Sequence, residues 1–564
     1  MNLVDLGPVN DFGLVSVLPP FMYIGLALLA VAFGAMLARE RFPTWLAVGL
    51  VILTIFMLYG VAPAIEGELR FAPAWRHLGL VEFMSREGLV RPSLDAYHNW
   101  PGLFGLIAFV SAVTGVTDLV GFATWAPVWF NLMFLPALML VVSALTDDRH
   151  ILWLSIWLFY LTDWIGQDYF APQAVGFFLF LVVLAMLLRW LGHRELRDPS
   201  GDVEAGRFLL VRRFLARILD VGPMPASALS PVRRAALMGL LLAVFVFMVA
   251  SHQLSPFFVV AAAAALFVLR RVPWATLPAV MVMIIATWVT FLAVAFLIGH
   301  FQNVAGYVGT LAESLAANLT SRLQGSPDHV AIIYVRIGAT IVVWALAAIG
   351  LGRRLLQGRW DVVALALAAA PFPLFLVQAY GGEMLLRIYF FALPFVAFFI
   401  ACAVLPKARQ AGPTSMATLA IVSVLGLALM GSLMLTRYGN ERLEHFTADE
   451  IAAVSELYRI APEGSLLVGL TPNLPWKNQR YEQYRYKPSG DDVTFGDVEV
   501  VLNEMRLHEG NAYLILSRSQ QAYVEMILGA GPGEWDAFER ALMATGEFSI
   551  IFENDDAMIA RFTG

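Results

Sequence analysis

Between Glu66 and Pro101 the chain reads EGELRFAPAWRHLGLVEFMSREGLVRPSLDAYHNWP. Five acids (Glu66, Glu68, Glu82, Glu87, Asp95) and four arginines (Arg70, Arg76, Arg86, Arg91) stand beside His77, His98, Trp75, Tyr97 and Trp100. A carboxylate in such a loop can take a proton from an attacking hydroxyl. With a neighbouring carboxylate or imidazole it can also hold a divalent cation that neutralises a phosphate leaving group. The spacing is not a metal signature, so magnesium, manganese or calcium is an option and not a requirement. Glu68, Glu66 and Asp95 are the expected acid–base residues. Arg70 is placed near a phosphate, and His77, His98 and Trp100 are expected to line the site. Any one of these residues has an ordinary explanation as a solvated loop charge; the cluster as a whole reads as functional.

Three smaller groups join it. DWIGQDYFAPQ, from Asp163 to Gln173, carries two carboxylates and two amides at the edge of an apolar run. Trp164 and Tyr169 there suit an interfacial aromatic belt. Acids at a membrane boundary are costly, so Asp168, with Gln167 beside it, is expected to line the site. Ser251-His252-Gln253 separates two apolar runs and either lines a cavity through His252 or forms a turn. Glu383 and Arg387 are four apart, so a helix puts them on one face as an ion pair. A guanidinium at the mouth of a span can also clamp a lipid phosphate through its planar fork. Arg336 is a second, weaker cation of this kind.

The elements that must position these residues are membrane helices. Of 564 residues, 59% are hydrophobic and 14% charged, against roughly a quarter charged in soluble domains. Apolar runs near 20 residues match the bilayer core. They are expected at 21–37, 45–61, 125–145, 151–161 with a short extension, 175–191, 235–250, 257–269, 277–298, 331–351, 362–379, 388–405 and 416–435, about twelve spans in a transmembrane domain covering 1–435. Arginines cluster in the alternate connections, above all in 192–234, and the positive-inside rule puts those in the cytoplasm. Within that loop Arg207–Val221 has the spacing of a surface-lying amphipathic helix. The loop 62–123, the turn after Asp163 and both termini then face away from the cytoplasm. Gly102–Val116 is too short to cross without breaking the charge rule, so it is expected to lie along the outer surface.

From Arg437 onward there are 11 basic and 21 acidic residues, a charge of −10; the remainder, with 26 and 22, is +4. Residues 436–564 read as a separate, extracytoplasmic α/β domain. Its helices are expected at 448–460, capped by Thr447, at 498–507 and at 520–528. Its strands are expected at 465–470, 512–516, 548–552 and 557–562. The polar-aromatic tract Trp476–Lys487 is read as a solvated loop. The single Cys402 excludes intramolecular disulfides and thiolate metal clusters. The N-terminus lacks the basic start and small-residue cleavage site of a signal peptide. Three lysines against 34 arginines suggest a high-GC bacterial genome. Nothing points to nucleic acid.

One or two spans, a long acidic outer loop, a juxtamembrane helix opened by AYHNWPG, many further spans and an outer C-terminal domain: this order resembles the GT-C superfamily of integral membrane glycosyltransferases. HLGLVEF, DAYHNWPGLFG, WIGQDYFAPQ and GGEMLLRIYFFALP resemble uncharacterised bacterial proteins grouped with it, over about 45–435. The resemblance implies a bacterial plasma-membrane enzyme that transfers a sugar, with inversion, from a polyprenyl-phosphate donor to an extracytoplasmic glycan, lipid or protein acceptor. It implies a first-loop carboxylate as base, here Glu66 or Glu68, with Asp95 as the alternative; the donor phosphate is expected on Arg387, with Arg336, Arg70 or a divalent cation beside it. The family's paired Asp-Asp or Asp-Glu is replaced by Glu-Gly-Glu, and one extra span precedes the loop. Two other readings stay open: a flippase for a lipid-linked glycan, and a polysaccharide polymerase or ligase working through His77, His98 and Arg70.

Overall fold

The computed structural model describes residues 4–192, 229–299, 323–376, 383–405, 416–488 and 493–564. Most of the basic loop 192–234, with its expected helix at 207–221, and most of the loop 299–330 lie outside the described residues. All twelve expected spans are helices. Seven are long and apolar enough to cross a membrane: Pro20–Ala38, Ala126–Ser143, Pro172–Leu191, Pro231–Ser251, Pro327–Leu356, Met384–Val404 and Met416–Tyr438. Shorter apolar helices at Thr44–Tyr59, Ser255–Val268, Thr276–Leu292 and Val362–Leu376, with Arg149–Thr162, complete the set. The protein is a multi-pass membrane protein.

Met384–Val404 is the axis of the bundle. It is buried along almost its whole length and packs against Pro327–Leu356 and Arg149–Thr162. Its phenylalanines explain why. Phe390 stacks on Phe177 with ring centroids 3.9 Å apart, and Phe391 stacks on Phe258 at 3.9 Å. Lipid offers no hydrophobic drive between helices, so close packing of this kind carries the association. Pro20–Ala38 and Met416–Tyr438 pair at the periphery, bringing the two ends of the transmembrane part together.

One end of the bundle gathers Arg39, Arg41, Arg149, Arg189, Arg270, Arg271, Arg353, Arg354 and Arg359 on the connections between spans. His150 Nε2 meets the Arg39 carbonyl (2.9 Å) and Arg354 pairs with Asp361 (2.6 Å) there. The other end carries the Glu66–Pro101 stretch, the turn after Asp163, His252, Glu383 and the C-terminal domain. The stretch forms a helix, Ala72–Glu87, then a short 3-10 turn at Ala96–Asn99. Gly102–Thr114 follows and packs on Ala72–Glu87 and on Pro231–Ser251. Its Leu106, Phe109, Val110 and Val113 are exposed.

The C-terminal part is a five-stranded sheet in the order β2-β1-β3-β5-β4. β1 (Leu466–Val468) runs parallel to β2 (Arg485–Lys487) and β3 (Ala512–Ser517). β5 (Ala557–Phe562) runs antiparallel to β3 and to β4 (Phe548–Glu553). Side chains alternate between two cores, Leu466, Val468, Leu514 and Leu516 in one and Leu467, Tyr513 and Ile515 in the other, as the two-residue period of a strand dictates. Helix Ala448–Ile460 opens on a capping box of Thr447 and Glu450. β2 and the helix Glu534–Ala544 were not anticipated.

Candidate active site

Two clusters meet at the end of the bundle that carries the C-terminal domain. The first is ionic. Helix Val61–Glu66 stops because Gly67 adopts the left-handed conformation, φ 75°, which glycine enters without a Cβ penalty. Glu66 is left buried beneath the turn. Its Oε2 lies 3.7 Å from Arg70 Nε and 3.5 Å from His445 Nδ1. Arg70 forks onto Glu441, with Nε to Oε1 at 2.5 Å, and reaches Glu444 at 2.9 Å. Both glutamates sit in the short helix Glu441–Glu444, immediately after the last span. Three carboxylates thus share one guanidinium away from water. Burial pushes Glu66 up to about 7, Glu441 to about 8 and Glu444 to about 7, each against the pull of Arg70. Burial opposes the charge on Arg70, but the acids around it outweigh that and hold it ionised.

Glu68 sits differently. It is half-exposed, just past the Gly67 turn, and among the described residues it makes no hydrogen bond or ion pair. Leu69 behind it accepts a hydrogen bond from Trp75 Nε1 (2.9 Å). Asp95, the third expected base, is fully engaged. Its Oδ1 accepts from Tyr97 N (2.9 Å) and its Oδ2 accepts from Arg76 Nε (2.8 Å). It caps the turn that holds Tyr97 and His98, a role legible in its Asx pattern of a carboxylate two residues before the donor.

The second cluster is aromatic and nearly neutral. His77 has no exposure. It stacks on Tyr169 (5.8 Å between centroids, planes at 11°) and meets the edge of Tyr97 at 4.9 Å. Its Nδ1 lies 2.7 Å from the Phe170 carbonyl; a carbonyl only accepts, so Nδ1 carries the proton. Burial lowers its pKa to about 4. Gln173 Nε2 reaches the Tyr169 hydroxyl (3.4 Å). Arg387 donates to Glu383 (2.8 Å) as their spacing anticipates, and both act electrostatically on Tyr169. Arg387 and His77 act in turn on His252. His252 forms a turn with Ser255, Nδ1 to Oγ 2.8 Å. That turn sits against Gly176, where a Cβ would come within 2.2 Å of Ser255 Oγ.

Phe71 joins the clusters. Its ring lies under the Arg70 guanidinium (4.6 Å) and 5.3 Å from Tyr169. It holds φ 67°, a strained conformation for a non-glycine residue. Arg336 stands nearby, donating to the Thr436 carbonyl (2.7 Å) and lying over Trp164 (5.9 Å). Asp168 is buried beneath, between Arg437 Nη2 (2.6 Å) and Asn131 Nδ2 (2.5 Å). Glu66, Arg70 and Arg336 thus belong to one cluster, and His77, His252, Glu383, Arg387 and Gln167's neighbour Tyr169 to the other. Two expected residues stand apart. Trp100 packs on Phe296 (4.9 Å), and His98 Nε2 bonds the Tyr481 hydroxyl (2.7 Å). Glu441, Glu444, Arg437 and Asn131 escaped the sequence reading. Only the cost of burying Asp168 hinted that a cation must lie near it.

Tyr481 belongs to the tract Trp476–Lys487, which is not the solvated loop expected. Trp476 and Tyr481 are buried, and Arg86 Nη2 holds Glu482 at 2.7 Å. A Cβ on Gly79 would come within 1.8 Å of the Lys477 carbonyl, so helix and tract touch backbone to backbone.

No family model matches the chain, and no curated protein matches it. Solved structures do. The crystal structure of ArnT from Cupriavidus metallidurans in the apo state superposes with a TM-score of 0.50 at 13% identity, covering 92% of this chain and 97% of that one. ArnT bound to undecaprenyl phosphate gives 0.49 at 13% identity with the same coverage. The Archaeoglobus fulgidus oligosaccharyltransferase tethered with an acceptor peptide gives 0.48 at 12%, covering 96% and 74%. The chain shares its fold with ArnT from Cupriavidus metallidurans.

Proposed function

We propose that the protein is a membrane glycosyltransferase that moves a sugar from a polyprenyl-phosphate donor to a hydroxyl of a cell-envelope acceptor. The reaction takes place on the side of the membrane that carries the C-terminal domain, which the positive-inside rule makes extracytoplasmic. The observation that carries the reading is the isolation of Glu68. Of the three acids able to serve as base, Glu66 is sealed around Arg70 and Asp95 is held by Arg76, whereas Glu68 is half-exposed and uncommitted among the described residues. Glu68 takes the proton as the acceptor oxygen attacks the anomeric carbon. The bond from that carbon to the phosphate oxygen breaks, and polyprenyl phosphate leaves with its charge met by Arg387, and by Arg336 beyond it. The donor set does not suit a resident cation. Glu66, Glu441 and Glu444 already surround a guanidinium, and among the described residues no group of three or more His, Cys, Asp or Glu could hold a metal ion; no step is routed through one.

A carrier for a lipid-linked glycan would place its working charges near mid-membrane. Here the buried Asp163 and Arg437 stand at helix ends and Asp168 in the turn between two helices, which favours the enzyme. The test is transfer of radiolabelled sugar from a panel of polyprenyl-phosphate donors to envelope glycans, using purified protein in nanodiscs. Glu68→Gln is expected to lower kcat by about 10²–10⁴-fold with the thermal transition unchanged. Full activity in Glu68→Gln removes the base assignment. No transfer from any donor, with glycan crossing vesicles instead, overturns the enzyme.

A further inference from the structure

The second cluster has hydrogen-bonding capacity that the protein itself leaves unused. His77 Nδ1 carries the proton because it faces the Phe170 carbonyl, so Nε2 is a bare acceptor. That atom is buried and has no partner. Gln173 Oε1 and Gln167 Oε1 are buried acceptors with no partner either. An unmet buried polar atom costs about 1–3 kcal/mol. Three such acceptors on one short stretch and the helix facing it are a recognition surface waiting for donors.

The walls say which donors. Tyr169 and His77 stack in parallel, and Tyr97 and Phe104 close the other sides at 4.9 and 5.4 Å from the imidazole. Tyr97 and Tyr169, the rings against the buried imidazole, are themselves half-exposed. The fixed charges nearby stand in pairs, Arg387 with Glu383 and Arg76 with Asp95. His252 adds an N–H: Ser255 N donates to its Nδ1 (3.1 Å), which leaves the proton on Nε2. Aromatic faces with neutral acceptors and few donors fit a ring that carries many hydroxyls.

We propose that His77 Nε2, with Gln173 Oε1, accepts hydrogen bonds from hydroxyls of the sugar, and that the transferred group is an uncharged polyhydroxylated sugar. This rests on the glycosyltransferase reading and narrows it. A uronate would set acceptors against acceptors. An amino sugar would bring an ammonium to a surface whose carboxylates, Glu383 and Asp95, are already paired.

The test is binding of undecaprenyl phosphate, of its glucosyl, galactosyl and mannosyl conjugates, and of its glucuronosyl and glucosaminyl conjugates to the full-length protein in nanodiscs, read by tryptophan fluorescence. Wild type is expected to bind at least one neutral conjugate about tenfold more tightly than bare undecaprenyl phosphate, the worth of one ordinary hydrogen bond. His77→Asn keeps a donor for Phe170 and removes the Nε2 acceptor; it is expected to bring the two affinities within about twofold. His77→Gln restores an acceptor at that reach and is expected to recover the preference. A tenfold preference that survives in His77→Asn overturns the proposal, as does equal binding of a charged conjugate. If wild type binds every one of these lipids no better than a phospholipid, the glycosyltransferase reading itself fails and takes this inference with it.

Discussion

The carboxylates around Arg70 make the docking of the C-terminal domain depend on pH. Glu66 belongs to the first loop, Glu441 and Glu444 to the segment leading into the domain, so the cluster exists only when the domain is seated. In the seated state burial holds Glu66 up to about 7 and Glu441 to about 8, against an ordinary 4.5. A raised acid stabilises the state that binds the proton. Its contribution is fully present below the ordinary value and is lost as pH rises through the raised one, because the unseated state gives up its protons first. Glu66 and Glu441 act on each other and are counted as holding one proton between them. Holding one proton to about pH 7 instead of 4.5 is worth roughly 3 kcal/mol at about 1.4 kcal/mol per pH unit. The thermal transition of the protein in nanodiscs is therefore expected to fall between pH 5 and pH 8. Glu441→Gln, which fixes the neutral form at one position, is expected to flatten that slope. A transition that rises with pH across this window, or a slope untouched in Glu441→Gln, refutes the reasoning.

Two further substitutions probe the packing around the site. Arg437→Met strips Asp168 of its cation in a buried place and is expected to cost about 3–5 kcal/mol; adding Asp168→Asn is expected to restore most of the loss, a recovery measured by thermal unfolding of the double variant. Gly79→Ala raises helix propensity by up to about 1 kcal/mol, yet forces the Lys477 carbonyl aside; faster trypsin cleavage at Lys477 or Arg480 is expected, and an unchanged cleavage rate would show that helix and tract are not in contact.

The twelve spans could be read because each is a local apolar run, seven of them of bilayer length. The capping box at Thr447 and the strands at 512–517, 548–553 and 557–562 could be read for the same reason, since their signals lie within a few residues. The site was legible only in part. Glu383 and Arg387 announce their pairing by spacing, but Asp168 meets Arg437 across 269 residues and Arg70 meets Glu441 across 371. Chain-local patterns carry no register over such distances. Residues that seemed equivalent in the sequence, Glu66, Glu68 and Asp95, part company for the same reason. Each takes its state from what folds against it, and among the described residues Glu68 has neither a hydrogen bond nor an ion pair.

The same long-range contacts change what the C-terminal domain is for. A domain that only gathered glycan would expose its aromatic tract, as the composition of Trp476–Lys487 invites one to expect. Instead Tyr481 holds His98, Glu482 holds Arg86, and the Glu441–Glu444 helix holds Arg70. Each contact grips a different part of the Glu66–Pro101 stretch: its start, its central helix and its final turn. That stretch is polar, has only one helix of real length, and is anchored to the bundle at its two ends. Alone it could not keep Glu68 and His77 in fixed places, because ordering each backbone residue costs about 1–2 kcal/mol. The domain supplies the missing fixation from above, while the Asp168–Arg437 pair and the Phe71 bridge supply it from below. The polar end of the bundle is thus a site only as a sandwich, and residues 300 to 400 positions downstream are as much a part of it as the acids that first drew attention.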